Sequence, residues 1–581
     1  MPHSQVLLLC QRPLEVPMNN AGIIDLVPAE ERQRWVQDGT YPNQPVFTLF
    51  AAKAEAHPDK KAVLSPQGDV TYGELLDAAL RMAHSLRDSG IVAGDVVAYQ
   101  LTNHWLCCAI DLAVAALGAI VAPFPPGRGK LDIQSLVRRC DARAVIVPQA
   151  YEGIDLCEVI ESLRPTLLSM RRLIVQGKPR EGWITLDELM STEPLDLASL
   201  PRVCPNSPVR LLVSSGTESE PKLVAYSHNA LVGGRGRFLQ RIASDGEDFR
   251  GMYLVPLGSS FGSTATFGVL CWLGGSLVVL PKFDVDEAIK AIAAFRPGFI
   301  LGVPTMLQRI AAQPALESID KSSLRGLIVG GSVIDEATVR KCRDAFGCGF
   351  ISLYGSADGV NCHNTLDDPI EVVLTSVGKP NPAVCAIRLV DDEGREVRQG
   401  EVGEITARGP LTPMQYVNAP ELDERYRDPQ GWVKTGDLGY INDKGYLVLA
   451  GRKKDVIIRG GANISPTQIE GLVMAHPDVV TVACIPVPDD DLGQRVCLCV
   501  TLREGAAKFS LKAITDFLRE LGLEVNKLPE YLRFYRALPL TPAGKIDKKA
   551  LTEEARELGT SGICPAGPGQ STPERSLREY A

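Results

Sequence analysis

Two short loops carry lysines 323 residues apart: SSGTESEPK, ending at Lys222, and TPAGKID, centred on Lys545. A loop rich in glycine, serine and threonine that ends in lysine suits a polyphosphate. Glycine lets backbone N–H groups come close, while hydroxyls and an ammonium meet the phosphate oxygens. Ser214, Ser215, Gly216, Thr217 and Lys222 are therefore candidate phosphate contacts. Glu218 departs from this pattern, because a carboxylate repels a triphosphate at short range; it is expected to point outward or meet a cation. Lys545 must come from a different part of the fold. Two cations on separate bodies could bracket a triphosphate and release it by moving apart.

The elements that position these loops follow from periodicity. A chain of 581 residues predicts three or four folding units. From about Tyr41 to Pro205, helical and strand patterns alternate. Thr71 and Glu74 have capping-box spacing, followed by Leu75, Leu76, Ala79, Leu80, Ala83 and Leu86 at helical intervals. DVVAYQL and ARAVIVPQ read as buried strands, and the same grammar continues through a helix over 286–295, FILGVP and RGLIVGG. Such alternation predicts an α/β fold with largely parallel sheets. Between Ala383 and Leu449, short strands punctuated by glycine predict a small antiparallel barrel or sheet. Past Gly451 a compact α+β unit is expected: a strand at VIIRGG, a helix at 466–474, strands at VVTVACIPV and RVCLCVTL, and a helix at 511–521. The predicted division is an extension over 1–40, a large domain over 41–453, a small domain over 454–558 and a disordered Gly/Pro/Ser-rich tail over 559–581.

Composition narrows the function. Hydrophobic content of 45% and charged content of 23% describe an ordinary globular protein. A net charge of −9 provides no basic footprint for nucleic acid or an anionic membrane, so neither is expected as a partner. The 15 cysteines include no CxxC pair, and several sit in apolar runs, which reads as buried thiols in a reducing compartment. The opening MPHSQVLLLC lacks the charged leader of a signal peptide. The apolar stretch over 112–124 is too short to span a bilayer. The expected location is the cytoplasm.

Further motifs lie between the two lysines: GGSV at 330–333, YGSAD at 354–358, KTGD ending at Asp437, GRKKD at 451–455 and GGANISP from Gly460. In this order, from about residue 45 to 551, the chain resembles the adenylate-forming superfamily of acyl-CoA synthetases, stand-alone adenylation domains and beetle luciferases. The resemblance implies a large N-terminal domain of two α/β subdomains plus a small β-barrel or sheet, followed by a small mobile α+β C-terminal domain. It implies a two-step reaction, in which a carboxylate attacks the ATP α-phosphate and a thiol then displaces AMP. ATP, Mg²⁺ and coenzyme A are the implied cofactors and co-substrates.

Residue by residue, the resemblance gives Ser214 to Thr217 and Lys222 the β- and γ-phosphates, and it places Gly331 and Ser332 beside adenine. Tyr354 would lie along the adenine, next to Gly355. Asp358 would bind Mg²⁺, being a hard oxygen ligand one methylene shorter than the usual glutamate. Ala357 replaces a threonine that bonds the α-phosphate, and Ser219 replaces a glycine. Asp437 would accept from both ribose hydroxyls, with Arg452 as a second contact and Lys454 as the hinge. Gly460 and Gly461 would line a pantetheine tunnel. Lys545 would be the catalytic lysine, neutralising charge that builds on the transferring phosphoryl group.

The implied acyl pocket involves Gly258, Ser259, Phe261, Gly262, Gly302 and Gly330. Small residues run through GSSFGSTATFG where many relatives carry a histidine or large aromatic, which predicts a bulky, mainly apolar acid. No aspartate follows an aromatic there, which disfavours amino acids. Arg235 and Arg237 read as solvated helix residues. The chain shows no carrier-protein attachment signature, so free coenzyme A is the expected acceptor. A separate carrier protein, or a partner enzyme taking over one half-reaction, is the alternative, for which Glu218 and Ala357 are the hints. A silent scaffold and a luciferase-like oxygenase are the remaining readings; retention of Lys222, Asp437, Arg452 and Lys545 argues against the first, and nothing in the residues points to oxygen chemistry for the second.

Overall fold

The alternating strands of the first part build two sheets with helices between and outside them. The computed structural model describes residues 21–128, 130–214, 222–243, 248–331, 334, 336–459, 462–489, 492–524, 527–541 and 545–557. Its contacts divide into two units, one formed by residues up to Thr435 with Gly439–Leu449, the other by Gly436–Leu438 with the chain from Ala450.

In the first unit, a seven-stranded sheet runs in the order Lys222–Ser227, Pro208–Ser214, Ile120–Pro123, Val96–Tyr99, Ala142–Pro148, Arg172–Gln176 and Ile184–Thr185. All neighbours are parallel except the first pair, an antiparallel hairpin. The second sheet has eight strands. Its six central members, Gly349–Gly355, Gly326–Gly330, Phe299–Gly302, Arg250–Tyr253, Ser276–Val279 and Lys61–Leu64, are parallel. Asn361–His363 and Val70–Thr71 close the two edges antiparallel.

Both faces of these sheets are buried, and side-chain alternation shows it within single strands. Val97 and Tyr99 enter the central core, whereas Val96 and Ala98 enter a second core on the other face. Phe299 and Leu301 likewise face the centre, with Ile300 on the outside. Between the sheets lie helices Val46–Ala56, Tyr72–Asp88 and Trp105–Ala116, and a π-helix over Ala265–Leu273. Lys130–Arg139 and Leu156–Leu163 cover the outside of one sheet, and Val285–Phe295, Pro304–Ala311 and Glu336–Phe346 that of the other. Thr71 forms the expected capping box with Glu74. The four strands Ala386–Val390, Gly403–Arg408, Val433–Ile441 and Leu447–Arg452 form the small sheet.

The second unit is a sheet of five strands, in the order Ala462–Ile464, Ile457–Arg459, Gly493–Leu502 and Val479–Asp489, with Tyr531–Tyr535 also paired to Gly493–Leu502. Along Val479–Asp489, Val482 and Cys484 pack under helices Pro466–Val473 and Leu511–Glu520, while Ala483, Ile485 and Val487 pack under Lys548–Glu557. The described cysteines are free thiols and almost all are buried. Among the described residues, no helix is long and apolar enough to cross a membrane.

Candidate active site

Parallel strands end in register at one edge of the eight-stranded sheet. Gly302 pairs with Val329, and Gly330 with Leu353, so Gly302, Gly330, Gly331, Tyr354 and Gly355 stand in a row at the carboxyl ends of three adjacent strands. Ligands of open α/β sheets bind at such carboxyl ends. Two of these glycines are required by the backbone: a Cβ on Gly330 would stand 2.8 Å from the Leu353 carbonyl oxygen, and Gly331 turns with φ of +90°.

The predicted phosphate loop belongs to the hairpin whose last pair is Ser214 with Lys222. Ser215, Gly216, Thr217, Glu218 and Ser219 lie outside the described residues, as does the side chain of Ser214. Lys222 is buried, and its ammonium sits 3.6 Å from the centre of the Tyr426 ring and 5.6 Å from that of Tyr416. Both rings come from far along the chain. The segment around Tyr416 pairs antiparallel with strand Lys222–Ser227, through hydrogen bonds linking Ala225 with Met414 and Gln415. A ring face holds an ammonium without neutralising it, which leaves the charge available to an anion.

Tyr416 also reaches the YGSAD turn, where its hydroxyl donates to Oδ1 of Asp358 at 2.7 Å. Burial, and then the Asp358 charge, push the phenol far above its ordinary value, so it stays a donor. One tyrosine therefore stands between the predicted phosphate lysine and the predicted metal ligand. Ala357 is buried, and its carbonyl accepts from the Tyr226 hydroxyl at 2.8 Å.

The structure corrects the reading of Arg235 and Arg237 as solvated. Arg235 closes the π-helix Ala230–Arg235 and donates to the Ser356 carbonyl at 3.1 Å, the Tyr226 hydroxyl at 3.2 Å and the Ser260 carbonyl at 3.0 Å. It ties the YGSAD turn to the predicted acyl segment. Arg237 donates to the carbonyls of Gly39 and Thr40, and burial pulls it below its ordinary value. Gly233 and Gly234 make room for this packing, since a Cβ on either would lie within 2.6 Å of backbone.

The acyl segment is held from beneath. Asn103 donates to the Val255 carbonyl at 3.0 Å and accepts from the Leu257 N–H at 2.8 Å. Arg210 donates to the Leu257 carbonyl at 2.9 Å and to Asp111 at 2.7 Å, and Asp111 also accepts from Thr266 and Tyr99. Ser259 folds into a tight turn, its hydroxyl donating to the Pro256 carbonyl and accepting from the Gly262 N–H. A Cβ on Gly262 would stand 2.1 Å from that carbonyl oxygen, and one on Gly258 would stand 3.2 Å from Phe124 backbone. At Gly262 smallness serves the turn itself, and at Gly258 it serves the approach of the Phe124 backbone. Ser259 and Phe261 remain partly exposed.

None of Asn103, Asp111, Arg210, Tyr226, Tyr416 and Tyr426 was apparent from sequence. The signal available for Asp111 was a lone carboxylate in an otherwise apolar helix, WLCCAIDLAVAA.

In the second unit, Arg452 donates to Asp437 at 3.0 Å. Lys545 lies on a turn in which its carbonyl accepts from the Thr541 N–H. Burial first, and then the Arg452 charge, pull its amine below the ordinary lysine value, with Asp437 opposing. Lys454 is exposed in a 3₁₀ turn over Lys453–Asp455. Gly460, Gly461 and Ser332 lie outside the described residues.

Known proteins resemble this chain in sequence and in fold. The family model described as AMP-binding enzyme matches residues 50–417, and that for the AMP-binding enzyme C-terminal domain matches 468–545. The chain is 32% identical to 2-hydroxy-7-methoxy-5-methyl-1-naphthoate–CoA ligase of Streptomyces carzinostaticus, covering 91% of this chain and 97% of the relative. It is 30% identical to 2,3-dihydroxybenzoate-AMP ligase of Bacillus subtilis (strain 168), covering 92% and 98%. The crystal structure of ATP-bound MatB from Rhodopseudomonas palustris superposes with a TM-score of 0.78 at 25% identity, over 89% of this chain and all of that one.

Proposed function

Because the chain belongs to the AMP-binding enzyme family, within the adenylate-forming superfamily, we propose that it activates a bulky, mainly apolar carboxylic acid with ATP and transfers the acyl group to coenzyme A. It is an AMP-forming acid–thiol ligase: the carboxylate displaces pyrophosphate from ATP to give an acyl-adenylate, and a thiol then displaces AMP. The observation that carries the reading is the placing of Lys222 over the ring of Tyr416 and of Asp358 at its hydroxyl. A cation for phosphate oxygens and a carboxylate for a metal stand together although 136 residues separate them (358 − 222).

Asp358 fits Mg²⁺. It presents a hard oxygen, Tyr416 occupies only Oδ1, and Mg²⁺ commonly takes one or two carboxylates beside substrate phosphates and water. Bound there, the ion would supply positive charge to the triphosphate. Asp437 and Arg452 would hold the ribose, and Gly331 and Tyr354 the adenine. Lys545, when charged, would stabilise the phosphoryl group during adenylation.

The acid class rests on the small, partly exposed Ser259, and on the likeness to a ligase of a substituted naphthoate. Coenzyme A as acceptor rests on the same likeness. Delivery to a carrier protein is the second reading, favoured by the likeness to a ligase named for its AMP product.

Lys545→Ala tests the assignment of roles. Acid-dependent ATP–pyrophosphate exchange should fall by about 10²–10³, while conversion of supplied acyl-adenylate and coenzyme A to thioester should change far less. Equal losses in both half-reactions would overturn the assignment. Acyl-adenylate accumulating in the presence of coenzyme A, without thioester, would favour the carrier-protein reading.

A further inference from the structure

A groove of about 460 Å³ opens on the first unit, lined by none of the residues assigned to the reaction. Leu49 and Ala56 of helix Val46–Ala56 form one wall, and Trp272 and Leu273 at the end of the π-helix form the other. Two lysines enter it, and they differ. Lys60 is satisfied, donating to the Gly274 carbonyl at 2.6 Å and pairing with Asp248 at 2.7 Å. Lys53 is half-buried and has no acidic partner among the described residues. Burial pulls its amine below the ordinary lysine value, the Lys60 charge adds to this, and Cys271 opposes it.

The placing of Lys53 depends on a glycine. Gly274 ends the π-helix with φ of +69°, and a Cβ there would stand 2.8 Å from Cδ of Lys53. Glycine therefore lets the lysine stem cross the helix end and carry its ammonium beside carbon walls. A half-buried ammonium with no acid beside it among the described residues is open to an anion, and the carbon walls favour one that carries an apolar body. An inorganic anion would leave the apolar walls wet, and a neutral apolar molecule would leave the ammonium unpaired. The volume is within the range of small-molecule sites.

We propose that this groove is a second binding site, for a small carboxylate with an aromatic or branched apolar body, in which Lys53 pairs with the carboxylate and Trp272 and Leu49 cover the body. The proposal does not depend on the assigned reaction.

Crystals soaked in 4-iodobenzoate would locate the site through the anomalous signal of iodine, and calorimetry with the same acid would measure its affinity. Iodine is expected between Trp272 and Leu49. Lys53→Met should lose that peak and weaken the corresponding binding by about tenfold, with Lys53→Arg restoring most of it. Acid-dependent ATP–pyrophosphate exchange should be unchanged in both variants, which also establishes that they fold. No iodine in the groove, equal affinity in Lys53→Met, or exchange falling in parallel with binding would each overturn the proposal.

Discussion

Replacing Asp111 by alanine removes the carboxylate that, among the described residues, pairs with the buried Arg210, in a place where neither side chain is more than 2% exposed. Three donors lose their acceptor: the Arg210 guanidinium at 2.7 Å, the Thr266 hydroxyl at 2.8 Å and the Tyr99 hydroxyl at 3.1 Å. The hydroxyls can rotate toward other acceptors. Among the described residues the guanidinium keeps the Leu257 carbonyl and the face of the Phe267 ring, neither of which carries a counter-charge, so an almost uncompensated charge remains in the core. Breaking one half of a buried pair costs about 3–5 kcal/mol, whereas replacing both halves by apolar groups of similar volume is often neutral. Asp111→Ala should therefore lower the stability of the first unit by about 3–5 kcal/mol, read as an earlier urea transition. Asp111→Leu combined with Arg210→Met should lose at least ~2 kcal/mol less than the sum of the two single changes. Because Arg210 also holds the Leu257 carbonyl, the single variant should bind its acid more weakly as well. A loss under about 1 kcal/mol for Asp111→Ala, or additivity within ~0.5 kcal/mol, would refute the reasoning.

Arg235→Met should raise the acid KM in pyrophosphate exchange by about tenfold or more, since each lost charge-assisted bond contributes roughly 1.5–3 kcal/mol before the discount for partial exposure. Its ATP KM should change less, and equal changes in both would count against a role in linking the two loops. His228 is fully buried, accepts from the Val46 N–H at Nδ1, and burial lowers its pKa to about 3. The unfolded chain binds the proton below its ordinary value of 6.5 while the folded chain does not, so stability should fall as pH drops from 6.5 toward 3, by up to ~1.4 kcal/mol per pH unit. His228→Gln should remove that part of the slope; an unchanged acid profile would show that other groups dominate it.

Local order was legible in the residues. The helix at Tyr72–Asp88 follows from its capping box and apolar spacing, and the parallel strands follow from short Val/Ile/Leu runs bounded by turns. Both depend on interactions within a few residues, where spacing alone fixes which face is apolar. The motifs at 330–333, 354–358 and 451–455 marked the family for the same reason, being contiguous. What the fold decided lies in contacts across long separations. Tyr416 joins Lys222 to Asp358 only because its segment pairs beside strand Lys222–Ser227, and nothing around Tyr416 announces that partner. Arg235 looks like any solvated helix arginine until the Ser356 and Ser260 carbonyls are placed beside it. Gly258 and Gly262 read as space for a ligand, whereas the Phe124 backbone and the Pro256 carbonyl lie against them. A residue's type sets which bonds it can make. Which groups it meets is set by how the sheets stack, and that is a property of the whole chain.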